Sequence, residues 1–106
     1  MRKLAGRVAV VTGAASGIGR ALADRFAAEG MHCVLADIET DALDRAVEEL
    51  RQSGASVAGV RTDVACGADV QALADRALEE FGRVHVLCNN AGVGTGTDFA
   101  STALEV

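Results

Sequence analysis

The stretch T-G-A-A-S-G-I-G at positions 12–19 decides how the chain is read. It follows the apolar run Val8, Ala9, Val10, Val11 and leads into a segment with helical periodicity. A chain leaving a buried strand must turn sharply there and start a helix. Gly13, Gly17 and Gly19 remove the side chains that would block the turn or hold a ligand away from the backbone. The first N–H groups of a helix have no intrahelical acceptor and carry about half a positive charge from the aligned peptide dipoles. A phosphate that comes close meets donors already aimed at it, so the turn predicts a bound pyrophosphate. The spacing G-x-x-x-G-x-G differs from the G-x-G-x-x-G pattern, and a turn of small residues also serves simply to pack a helix tightly on a strand. The residues around the turn have to choose between these readings.

Those residues alternate between two periodicities. A continuous apolar run at 7–12 predicts a strand covered on both faces. It is followed by a helix at 17–29 with Ile18, Leu22 and Phe26 as its apolar stripe and Gly30 as its stop. A second strand, His32–Asp37, ends in a carboxylate, and a helix at 41–52 follows. That helix carries Leu43, Val47 and Leu50 on one face, with Thr40 or Asp41 as N-cap and Gly54 closing it. A weaker strand at 56–62 is interrupted by Gly59, and a helix at 68–81 presents Val70, Leu73, Ala77 and Phe81 before Gly82. A fourth strand at 84–88 runs into Asn89, Asn90, Ala91 and Gly92, then into a polar glycine-rich loop at 93–97. Residues 98–106 read as the opening of a further helix. Alternating β and α units predict an α/β fold, a Rossmann-like doubly wound parallel sheet of order 3-2-1-4 truncated after the fourth strand. The whole of 1–106 is read as a single partial dinucleotide-binding domain.

Composition narrows the partners. The net charge of −5 and ten scattered basic residues argue against a nucleic-acid or anionic-membrane surface, either of which needs a basic patch. No apolar run approaches the ~18 residues of a membrane span, and the segment before the first strand is too short for a signal peptide, so a soluble cytoplasmic chain is expected. Cys33, Cys66 and Cys88 are far apart, with no histidine placed to complete a metal site, and read as reduced thiols.

Asp37 supplies the second anchor. It lies at a strand end eighteen residues beyond Gly19, where a carboxylate can accept hydrogen bonds from an adenosine ribose. Its charge also bears on the choice of cofactor. A carboxylate about 5 Å from a 2′-phosphate is disfavoured by roughly 3 kcal/mol per unit charge at an effective dielectric near 20, before screening. Neither Ser16 nor Ile38 offers a compensating cation, so NAD is expected over NADP.

Thr12, Gly13, Gly17, Gly19, Asp37, the pair Asp63-Val64 and Asn89-Asn90-Ala91-Gly92, in this order and spacing, resemble the N-terminal half of the short-chain dehydrogenase/reductase family. The resemblance covers essentially the whole chain and implies an NAD-dependent oxidoreductase acting between an alcohol and a ketone. It implies that Gly13, Ser16, Gly17, Ile18 and Gly19 line the pyrophosphate and ribose. Asp37 would hold the adenosine ribose with Ile38 beside the adenine, and Asp63 and Val64 would flank the adenine. Asn90, Ala91 and Gly92 would shape the nicotinamide side, and Asn89 or Asn90 would tie neighbouring strands together.

The departure from the family pattern is as informative. The family's catalytic serine, its Tyr-x-x-x-Lys pair and a catalytic asparagine follow the N-N-A-G motif. This sequence contains no tyrosine, and its only lysine is Lys3. Ser101 and Thr102, with no base partner, read as helix caps. The 106 residues by themselves are therefore expected to bind a cofactor without turning over substrate. Two other readings compete: a stand-alone nucleotide-binding or regulatory module completed by a partner chain, and an S-adenosylmethionine-binding fold, which the N-N-A-G stretch disfavours. The missing strands predict an open edge on the fourth strand and, through it, self-association or pairing with a completing chain.

Overall fold

The computed structural model describes residues 4–90. Four strands alternate with three helices: β1 Val8–Thr12, α1 Gly17–Ala28, β2 His32–Asp37, α2 Thr40–Gln52, β3 Val57–Arg61, α3 Gly67–Phe81 and β4 Val86–Asn89. The strands form one parallel sheet in the order β3-β2-β1-β4, with Val10 level with Val34 on one side and Leu87 on the other. The expected fold class and strand order are those observed.

The alternation of side chains across the sheet decides which helix lies where. Ala9, Val11, Cys33, Leu35 and Val57 face α1 and α2 and pack with Ala23, Leu43, Ala46, Val47 and Leu50. Val10, Val34 and Ala36 face the other way and pack with Leu73 and Ala77 of α3. Helices thus cover both faces, which is why the central strands read as unbroken apolar runs. Burial is complete at Val11, Val34 and Leu35, each with no exposed surface.

Two apolar stripes differ from expectation. Ile18 is 71 % exposed, and the face of α1 toward the sheet runs instead through the buried Gly19 and Ala23, with Leu22, Phe26 and Ala27 packed beside them. Small residues let α1 approach β1 closely, and that rotates Ile18 out of the contact. In α3, Val70 is half-exposed while Leu73 and Ala77 carry the burial. The α2 cap also shifts. Thr40 is already helical and Glu39 occupies the N-cap without a side-chain cap bond. The fourth strand begins at Val86, two residues later than the periodicity suggests, and extends to Asn89.

Gly59 proves to be a packing position rather than an interruption of β3. A Cβ there would lie 2.7 Å from Val47 Cγ2, so the missing side chain is what lets α2 sit down on the strand. No helix among the described residues is long and apolar enough to cross a membrane.

Candidate dinucleotide-binding site

Because the four strands are parallel, their carboxyl ends share one edge of the sheet, and the chain leaves β1 there through the glycine turn. β1 is also where strand order reverses: β2 and β3 lie on one side of it and β4 on the other. In an open α/β sheet this is the crevice that receives a ligand.

Sterics build the turn. Gly13 (φ 65°) and Gly17 (φ 60°) both occupy the left-handed region, which a side chain resists. Gly19 is held differently. A Cβ on it would collide with the Gly13 carbonyl oxygen and lie 2.7 Å from the Gly13 carbonyl carbon and 2.9 Å from Asn90 Nδ2. The start of α1 is therefore pressed against both the turn and the residue that follows β4. Nothing lies within 4 Å of a Cβ built on Gly17, so the backbone there borders open space.

Asp37 fixes the turn from β2. Its Oδ2 accepts the Ala15 N–H at 3.0 Å and its Oδ1 accepts the Glu39 N–H at 3.0 Å. The Ala14 N–H donates to the Ala36 carbonyl at 3.1 Å. A carboxylate with both oxygens on backbone donors is set in position and rotamer before any ligand arrives. Ile38, next to it, is 47 % exposed. Ile18 and Ile38 are thus exposed apolar side chains, one at the start of α1 and the other just past the end of β2.

The first turn of α1 leaves room for an anion. It contains no acidic residue, whereas α2 and α3 open with Asp41 and Asp69. Ser16, at its N-cap, makes no side-chain cap bond. The positive end of this helix is therefore not neutralised by its own side chains. Arg20, one turn on, is committed to Asp24 and Glu49 at 2.9 Å each, and the Asp24 hydrogen bond raises the guanidinium above its ordinary pKa.

On the β3 side, the Asp63–Val64 pair sits in a turn organised by two carboxylates. Asp63 Oδ1 accepts the Ala65 N–H at 3.0 Å, and the Asp63 N–H donates to Asp69 Oδ2 at 2.9 Å. On the β4 side, the Thr12 hydroxyl donates to Asn89 Oδ1 at 2.9 Å, so Asn89 is the residue that ties β4 to the centre of the sheet. Asn90 reaches α1 instead. Ala91 and Gly92, like Ser101 and Thr102, lie outside the described residues.

Of the thiols, Cys33 is buried and the other two are half-buried. Burial raises the Cys33 thiol to about 11 and pushes the Cys88 thiol up as well, so neither is a nucleophile at neutral pH.

Sequence reasoning passed over two residues. Asp69 carries a legible signal, an acid at the third position of a helix that follows a strand end. His85 carries none: its ring Nδ1 accepts the Val8 N–H at 2.9 Å while its backbone N–H donates to the Val8 carbonyl.

The family model described as "short chain dehydrogenase" matches residues 7–106. A 1-deoxy-11-beta-hydroxypentalenate dehydrogenase of Streptomyces exfoliatus is 52 % identical over 87 residues, which are 82 % of this chain and 32 % of the relative. A short chain dehydrogenase/reductase from Burkholderia phymatum, solved in complex with NAD, superposes with a TM-score of 0.85 at 62 % identity, covering 89 % of this chain and 34 % of that one. An L-sorbose reductase from Gluconobacter frateurii, solved with NADPH and L-sorbose, superposes with a TM-score of 0.83 at 39 % identity, covering 97 % and 40 %. The chain thus spans about a third of the length of such relatives.

Proposed function

The chain belongs to the short-chain dehydrogenase family, and from that premise we propose that it holds the nicotinamide dinucleotide of an oxidoreductase acting between an alcohol and its ketone. The observation that carries this reading is the Asp37 carboxylate anchored on Ala15 of the glycine turn, beside a helix start free of acidic side chains. The residues fit the cofactor. Gly17 borders open space, Gly19 brings α1 against the turn, and the bare N-terminus of α1 suits a pyrophosphate.

In this reading Gly13, Ser16, Gly17, Ile18 and Gly19 cradle the pyrophosphate and its riboses. Asp37 accepts hydrogen bonds from the adenosine ribose hydroxyls, with Ile38 against the adenine. Asp63 and Val64 form the far wall of the adenine pocket, and Asn90, Ala91 and Gly92 support the nicotinamide side. NAD is the proposed cofactor rather than NADP. A 2′-phosphate would meet the Asp37 carboxylate, whose oxygens already have backbone partners and which has no reason to turn away. When bound, the nicotinamide ring supplies hydride transfer. The residues of this chain orient it, and the proton-transferring groups would come from the rest of a longer protein.

Residues 1–106 accordingly form part of one dinucleotide-binding domain. β4 pairs with β1 alone among the described residues, so its other edge is the proposed place for a further strand, from the same protein or from a second copy.

Titration of the purified chain with NAD, NADP and S-adenosylmethionine tests the reading. NAD at about 100 times its Kd adds roughly 2.7 kcal/mol to the unfolding free energy. A transition that no dinucleotide moves, or one that S-adenosylmethionine moves instead, overturns it.

A further inference from the structure

We propose that Asp69, at the start of α3, is a positioning residue for the adenine-side wall of the site. This rests on the cofactor reading above. The turn at 62–66 leaves β3 at the ligand edge of the sheet, and besides the Ala65 N–H on Asp63 Oδ1 its backbone is held by three further bonds. The Thr62 N–H donates to the Asp37 carbonyl at 3.0 Å, the Cys66 N–H donates to the Asp63 carbonyl at 2.9 Å, and the Asp63 N–H donates to Asp69 Oδ2 at 2.9 Å. Only the last bond comes from a side chain beyond the turn.

The same oxygen takes Arg61 Nη1 at 3.4 Å. Arg61 is the register partner of Asp37 in the neighbouring strand, and its guanidinium is held by Asp69. Both of these contacts of Asp69 are to the protein itself. Asp69 acts by fixing where Asp63 and Val64 stand, and by keeping Arg61 in an ion pair with α3. Asp69 also supplies the carboxylate in the first turn of α3, so one side chain both stabilises that helix start and sets the pocket wall.

The test compares D69A and D69N with the unaltered chain, using NAD and its hypoxanthine analogue, which lacks the adenine amino group. D69A leaves the Asp63 N–H without an acceptor and is expected to weaken NAD by about fivefold, the scale of one hydrogen bond. The hypoxanthine analogue should change less than NAD. D69N keeps a side-chain oxygen for Asp63 and should restore most of the NAD affinity. A general loss of structure would weaken both dinucleotides alike and would not be rescued.

The second measurement needs no variant. Amide hydrogen exchange in the unliganded chain should show the Asp63 N–H protected. An unprotected Asp63 amide, or NAD affinity unchanged in a folded D69A chain, overturns the proposal while leaving the cofactor reading intact. An unaltered chain that binds no dinucleotide overturns both.

Discussion

Asp37 and Ala15 lie 22 residues apart in sequence and are joined by a 3.0 Å hydrogen bond from the Ala15 N–H to the Asp37 carboxylate. The bond makes the end of β2 part of the glycine turn. Asp37→Ala should therefore lower NAD affinity through two losses, a ribose acceptor and the anchor of the turn, together worth about 1–3 kcal/mol. Asp37→Asn keeps an acceptor but removes the charge, and should narrow the preference for NAD over NADP. Calorimetric titration of both dinucleotides checks this; a preference for NAD unaltered in D37N would show that the charge does not discriminate.

Gly19→Ala tests the contact between α1 and the turn. Its methyl group would meet the Gly13 backbone, which cannot move aside as a flexible side chain would. A loss of about 1–3 kcal/mol of stability is expected, together with weaker NAD binding. Denaturant unfolding that matches the unaltered chain would count against the packing described.

His85→Ala removes the acceptor of the buried Val8 N–H. An orphaned backbone donor costs about 1–3 kcal/mol. The loss should appear in thermal unfolding, with NAD affinity close to unchanged because His85 is at the opposite end of β4 from Asn89.

Alkaline stability should depend on Cys33. Burial holds its thiol at about 11 in the folded chain, above the ordinary 9.0. The unfolded chain releases this proton first as the pH rises. The stabilisation is complete below about pH 9 and fades as pH approaches 11, for a total of roughly 3 kcal/mol. Cys33→Ala should flatten that decline, as urea unfolding at pH 8, 9, 10 and 11 would reveal.

Self-association through β4 is open to a direct measurement. Sedimentation over a hundredfold concentration range should show mass increasing with concentration. A dilution-independent monomer would remove the reason to assign β4 a pairing partner.

The strand order and the ligand edge were legible because they rest on local patterns: an apolar run, a glycine turn and a carboxylate at a fixed distance. Asp37 could be singled out from its position at a strand end, whereas choosing Asn89 over Asn90 as the tie between strands needs the Thr12 contact. What could not be read depends on how close two elements come. Ile18 fits a helical stripe by spacing, yet it is exposed because Gly19 and Ala23 set the approach of α1 to the sheet. Gly59 looked like a defect until α2 was in place above it. The bond from Val8 to His85 spans 77 residues, and no periodicity announces it.

The central position of β1 has a consequence for how the protein is made. β1 is the first strand in the sequence, yet its contact with β4 joins Thr12 to Asn89 across 77 residues. During synthesis the β3-β2-β1 half can assemble as soon as Arg61 has emerged, while the second edge of β1 stays bare until nearly thirty further residues follow. Long-range parallel pairing is slow, because loop closure must precede the contacts that reward it. For that interval the most apolar strand of the sheet is half-covered, and a chaperone would find Val8–Thr12 the segment most in need of shelter.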